Sequence, residues 1–219
     1  MAMNFEQARQ NMVENQVRPW EVLDADVLET LKGVRREDFV AAVHRNVAFA
    51  DITLPIGHDE VMMKPVVEGR VLQALELKKH EDVLEIGTGS GFMTACLARM
   101  AGKVTSIDIH ADFVEAARQR LAATGVTNAT VETAEAVNGF NPSGVFDAIV
   151  VTAAVNAIPD RFVRWLKPGG RMFVVRGDSP AQTAVLLTHE GEGRYREESL
   201  FETDLPYLAH AAPVKRFVL

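Results

Sequence analysis

The sequence predicts a doubly wound α/β fold built on a mostly parallel sheet. Three observations predict it. From about residue 82 to 175, short apolar runs alternate with helix-patterned segments, as expected of parallel strands joined by crossover helices. The run Val83-Leu-Glu-Ile-Gly-Thr-Gly-Ser-Gly passes from a strand through a glycine-rich turn into a helix. From residue 181 onward the pattern becomes two strand-like segments around Glu190-Gly-Glu-Gly, which suits an antiparallel hairpin on the sheet edge.

The elements follow in order. Residues 1–79 read as a helical extension that includes an irregular segment. Phe5, Ala8 and Met12 recur at helical spacing. Asp24 is suited to cap a helix carrying Val27, Leu28 and Leu31 on one face. Between Phe49 and Glu60, Pro55 and Gly57 mark a loop. Pro65 starts a third helix, lined inward by Val67, Val71, Ala74 and Leu75 and closed by Lys78, Lys79 and His80. Residues 80–180 form the core. Strands are expected at Asp82–Ile86, Lys103–Ile107, Thr130–Glu132, Val145–Val151 and, after the Gly169-Gly170 turn, Arg171–Val175. Helices are expected at Gly91–Met100, around Phe113, Ala116, Ala117 and Leu121, and at Pro159–Leu166. Residues 181–219 supply the antiparallel strands. One domain spans 1–219.

Composition excludes several classes. A formal net charge of −7 argues against a generic grip on nucleic acid, which needs a basic face. The first 20 residues are too polar for a signal peptide, and no apolar run is long enough for a membrane span. The single cysteine, Cys96, excludes an intrachain disulfide and suits a buried helix position. A cytoplasmic protein without membrane partners is expected, as a monomer or small homo-oligomer. Trp20 is placed to anchor the N-terminal helices on the core. His44, His110, His189 and His210 show no metal-ligand spacing, and no metal is expected.

The chemistry is carried by the glycine loop, from Glu85 through Gly87, Thr88, Gly89 and Ser90 to Gly91. Its glycines let a ligand approach the main chain, and the helix behind it supplies free N–H groups. Dinucleotide folds use G-x-G-x-x-G. Here the third glycine comes one residue early, at Gly91, and Phe92 occupies the position that pattern reserves for glycine. G-x-G-x-G preceded by an acid is the spacing of S-adenosylmethionine enzymes with this fold, the seven-stranded class I methyltransferase type. Asp108, about 20 residues on, ends the second strand, where an acid can accept hydrogen bonds from ribose hydroxyls; Ile109 follows it. Thr152, at the end of the fourth strand, faces the same crevice.

Five segments together resemble the protein-L-isoaspartate O-methyltransferase family: Ala8-Arg-Gln-Asn-Met-Val-Glu-Asn-Gln-Val, Val34-Arg-Arg-Glu-Asp-Phe-Val, Leu54-Pro-Ile-Gly, Leu84-Glu-Ile-Gly-Thr-Gly-Ser-Gly-Phe and Thr152-Ala-Ala-Val-Asn-Ala-Ile-Pro. The resemblance covers nearly the whole chain. It implies methyl transfer from S-adenosylmethionine to the carboxylate of isoaspartyl residues in damaged proteins or peptides, leaving S-adenosylhomocysteine. It also implies that the family's adenine-contacting Gly-Asp-Gly corresponds to Ala134-Glu-Ala, so that Glu135 and Ala136 meet the adenine.

The departures fall on the acceptor side. The family's Gly-Gln-Thr-Ile-Ser-Gln-Pro reads Asp59-Glu-Val-Met-Met-Lys-Pro here, and Met63 replaces the serine. The candidate acceptor residues are His58, Asp59, Glu60, Met63 and Lys64. Acidic side chains facing the crevice would repel a carboxylate, whereas Lys64 could hold one. Two other readings therefore stay open: a divergent methyltransferase with a neutral or cationic acceptor, small molecules included, and a non-catalytic S-adenosylmethionine-binding protein.

Overall fold

A computed structural model describes residues 3–214 of the chain; residues 1–2 and 215–219, with the end of the expected C-terminal segment, lie outside the described residues. Its centre is a seven-stranded sheet in the order β5-β4-β3-β6-β7-β8-β9. These strands are β3 (Asp82–Ile86), β4 (Lys103–Asp108), β5 (Ala129–Thr133), β6 (Phe146–Val155), β7 (Leu166–Arg176), β8 (Gln182–Gly191) and β9 (Arg194–Thr203). From β5 to β7 all pairings are parallel; β8 and β9 add an antiparallel edge.

The strand sequences explain why the sheet is covered twice. Val83, Ala148 and Val150 face one apolar cluster, while Leu84, Ile86, Ile149 and Val151 face the other. Side chains alternate across a strand, so a run apolar at every position must be buried on both faces. The cover comes from α3 (Pro65–Leu75), α4 (Phe92–Met100), α5 (Ala111–Ala123), α6 (Asp160–Arg164) and the N-terminal α1 (Phe5–Met12) and α2 (Ala25–Gly33). Cys96 is fully buried in α4.

Caps set the helix starts. Asp24 accepts from the backbone N–H groups of Asp26 and Val27 at the start of α2, and Pro65 opens α3. The far end of α3 differs from expectation. Glu76 takes a left-handed conformation (φ 45°) and stops the helix at Leu75, so Lys78, Lys79 and His80 lie beyond it. Trp20 is 54% exposed and does not serve as an anchor; its carbonyl accepts from Arg70.

The segment before α3 is also more regular than expected. β1 (Leu54–Gly57) and β2 (Glu60–Met62) pair as a short antiparallel hairpin. Its turn residues, His58 (φ 52°) and Asp59 (φ 60°), are both left-handed, the geometry of a tight two-residue turn. Neither residue is a glycine, which is why the sequence reads as a loop there. In β7 the Gly169-Gly170 pair lies within the strand as a register shift between Phe146↔Leu166 and Ala148↔Arg171.

The strand order reverses between β3 and β6, and a crevice opens at their carboxyl ends. Ligands of open α/β sheets bind at such a switch point. Among the described residues no helix is long and apolar enough to cross a membrane.

Candidate active site

The crevice is partly open to solvent; the atom-free space in it, open solvent included, is about 800 Å³. Its base is the turn between β3 and α4. Gly87 and Thr88 donate to Ile107 O at 2.8 and 3.2 Å, and Gly91 donates to Thr88 O at 2.9 Å. Gly87 has φ 100°, and a Cβ there would collide with Thr152 Oγ1, which donates to the carbonyls of Ile86 and Gly87. Gly91 has φ 85°, and its missing Cβ would lie 3.0 Å from the Cβ of Ala117. Gly91 therefore fits α4 against α5 and does not line the crevice.

Asp108 locks the turn to β4. Its Oδ2 accepts from Gly89 N at 2.8 Å and its Oδ1 from His110 N at 2.9 Å. Each carboxylate oxygen retains a second lone pair, and the side chain lines the crevice. Glu135 is used similarly: its two oxygens accept from Val137 N and Asn138 N, each at 2.7 Å. Ile109, Ala136 and Thr152 line the same cavity, as do Gly87, Thr88, Gly89 and Ser90.

Glu85, expected among the ligand contacts, lies elsewhere. It is fully buried beneath the turn, where Thr94 and Ser106 donate to Oε2, and it does not line the crevice. Burial pushes its carboxyl up to about 8 against the effect of these hydroxyls. The sequence gives a residue's face along a strand, and at Glu85 the inward face leads into the core under α4.

The hairpin separates the candidate acceptor residues. Only Glu60 and Met63 line the crevice. Asp59 is exposed at the turn, and Lys64 is exposed at the N-cap of α3. Glu60 is half-buried; burial first, then the charges of Asp108 and Asp59, raise its carboxyl above the usual range. Met63 is 4% exposed, and Met62 beside it also lines the cavity.

His58 points to α5 instead. Its Nε2 lies 3.0 Å from Asp112 Oδ2, and its ring stacks on His110 with centroids 3.9 Å apart. The hydrogen bond from His58 holds the Asp112 carboxyl below its usual range. Ligand atoms of His58, His110 and Asp112 lie within 4.8 Å of one another, a grouping invisible in their sequence spacing.

One acidic lining residue escaped the sequence reading. Glu68 sits on α3, 2% exposed, and reaches the crevice. Its Oε2 is paired with Arg36, itself fully buried. Arg36 also donates to Ala48 O and Met63 O, each at 2.7 Å, and its guanidinium lies 4.9 Å from the centroid of the Phe92 ring. Burial pushes the Glu68 carboxyl up to about 7, against the Arg36 charge. The signal was present: Glu68 falls on the same helical face as Val71, Leu72 and Leu75, where an acid is out of place.

The protein-L-isoaspartate(D-aspartate) O-methyltransferase (PCMT) family model matches residues 7–205. A protein-L-isoaspartate O-methyltransferase 1 from Syntrophobacter fumaroxidans is 39% identical over 191 residues, covering 87% of this chain and 89% of that one. A protein-L-isoaspartate O-methyltransferase from Methanoculleus marisnigri is 38% identical over 186 residues, covering 85% and 84%. Among solved structures, a Plasmodium falciparum protein assigned as a beta-aspartate methyltransferase (PCMT), crystallised with S-adenosyl-L-homocysteine, superimposes with a TM-score of 0.79 at 20% identity, over 91% of this chain and 97% of that one. The chain belongs to the protein-L-isoaspartate(D-aspartate) O-methyltransferase family.

Proposed function

We propose that the protein transfers the methyl group of S-adenosylmethionine to the carboxylate of isoaspartyl residues in damaged proteins, leaving a methyl ester and S-adenosylhomocysteine. The observation that carries this reading is the crevice itself, in a chain whose family match spans residues 7–205. An acid with free lone pairs at the end of β4 suits ribose hydroxyls. Ile109 and Ala136 offer apolar surface for an adenine, and Glu135 can accept from its amino group.

S-adenosylmethionine supplies an electrophilic methyl group on a sulfonium. The acceptor carboxylate is ionised at neutral pH and needs no general base, so the protein's task is to align two atoms and exclude water. Met62, Met63 and Phe92 supply the dry wall for this. Leu208 closes the crevice from the segment after β9, tied by its N–H to Ala154 O at 2.7 Å.

Glu60 supports a second reading, methylation of a neutral or cationic acceptor. A half-buried acid at the crevice opposes an incoming carboxylate, and Met63 offers it no hydroxyl. Methyl-labelled donor given with an isoaspartyl peptide, beside the normal aspartyl peptide, separates the two. Base-labile methyl ester on the isoaspartyl peptide alone is the expected result. Donor binding with no transfer to either peptide would refute the repair reading and favour the second.

A further inference from the structure

The crevice has two ends with different electrostatics. At one end lie Asp108, Glu135 and His110, with Glu60 close enough to feel the charge of Asp108. The other end is walled by Met62, Met63, Phe92 and Met93. Glu68 is the one ionisable side chain lining it among the described residues. It stands on α3, paired with Arg36, whereas Asp108 ends β4 and holds the turn at Gly89.

The Glu68 carboxylate is half used. Arg36 holds Oε2, while no hydrogen bond engages Oε1 among the described residues; that oxygen is not sealed in the core, and the residue lines the cavity. A carboxylate oxygen open to the cavity and not engaged by the protein is free to accept from a ligand, and a cation bearing N–H donors is its strongest partner. A sulfonium has no such donor; an ammonium has three. Glu85 does not compete for this role, because its unpaired Oε1 is sealed from the cavity.

We propose that Glu68 binds the α-ammonium group of the methyl donor's amino-acid portion, with Arg36 holding the carboxylate in place from behind. The assignment rests on reading the crevice as the S-adenosylmethionine site, and it fixes the direction of the ligand: adenosine toward Asp108, amino acid toward α3. Because Arg36 also donates to Met63 O, the same guanidinium ties the donor anchor to the segment facing the acceptor.

The test is a titration of wild type and E68Q with three probes: S-adenosylhomocysteine, its analogue lacking the α-amino group, and 5′-methylthioadenosine, which lacks the whole amino-acid portion. Wild type should prefer S-adenosylhomocysteine over the deamino analogue by at least about tenfold. E68Q should reduce that preference to within about twofold while binding methylthioadenosine as wild type does. Equal binding of the first two probes by wild type overturns the assignment, as does a preference that survives E68Q. Should E68Q not fold, E68D keeps a charge for Arg36 but withdraws it by one methylene; an unchanged preference in E68D overturns the assignment equally. Failure of wild type to bind either S-adenosylhomocysteine or methylthioadenosine overturns the donor reading and the assignment together. Methylthioadenosine binding without the ammonium preference overturns the assignment alone.

Discussion

Asp108 Oδ2 accepts the N–H of Gly89 across 2.8 Å, so the acid at the tip of β4 and the glycine turn after β3 form one structural unit. Asp108→Ala removes the anchors of both Gly89 and His110 along with the acceptor for the ribose. The expected result is a loss of roughly 10- to 100-fold in affinity for S-adenosylhomocysteine and for methylthioadenosine alike, with about 1–2 kcal/mol of stability. Calorimetric titration and thermal unfolding measure the two effects. Unchanged affinity for methylthioadenosine would exclude Asp108 from the nucleoside site.

Gly87→Ala tests the floor of the crevice. The added Cβ meets Thr152 Oγ1, and the backbone stays at φ 100°, which a side chain adopts only under strain. A destabilisation of about 2–4 kcal/mol in urea unfolding is expected. The double variant with Thr152→Ala relieves the collision and leaves the backbone strain, so it should recover part of the loss. Full recovery would show that the φ angle contributes nothing.

The places where the sequence succeeded and failed have physical causes. Asp24, Pro65 and the turn from Gly87 to Gly91 act locally, through a cap, a fixed φ and a close backbone approach, and local chemistry is written in consecutive residues. The two-faced burial of β3 and β6 was legible for the same reason. The hairpin turn at His58 and Asp59 was not, because two left-handed non-glycine residues carry no turn signal. Contacts between distant segments were also hidden. Nothing near Glu68 in sequence announces Arg36, and nothing near His58 announces Asp112. Glu85 shows the converse error: a residue in the right motif whose side chain turns into the core.

Glu85 gives a pH-dependent stability. Its carboxyl moves from an ordinary 4.5 to about 8 in the folded protein, with burial the main cause, Ser106 and Thr94 opposing it and the charge of Asp108 adding to it. Between those values the folded chain keeps a proton that the unfolded chain has released. Its contribution is therefore full below pH ~4.5 and is lost as pH rises toward ~8. Glu85→Gln does not titrate. The stability difference, E85Q minus wild type, should grow across this window by several kcal/mol, on the order of 4 at most. Glu68, pushed up to about 7, titrates in both proteins and cancels in the difference. Parallel stability profiles from pH 5 to 8 would show that Glu85 is ionised in the fold.

Glu60 and Met63 decide the acceptor. Like charges about 4 Å apart oppose each other by on the order of 4 kcal/mol at a surface-like dielectric, and solvent at the half-exposed Glu60 lowers that well below the limit. Glu60→Gln should raise kcat/KM for an isoaspartyl peptide by roughly threefold to tenfold, mainly through KM. The gain should shrink at acidic pH: the Glu60 carboxyl is held above its usual range, and once protonated it no longer repels the substrate. Met63→Ser returns a hydroxyl to the crevice wall and should add a second gain, read as kcat, if that hydroxyl orients the acceptor carboxylate. Glu60 opens β2 and Met63 follows its last residue, so the double variant should be assayed directly rather than summed from the singles. A fall in activity on Glu60→Gln would reverse the argument: Glu60 would then hold the substrate by accepting hydrogen bonds, and a neutral or cationic acceptor would be the better match for this crevice.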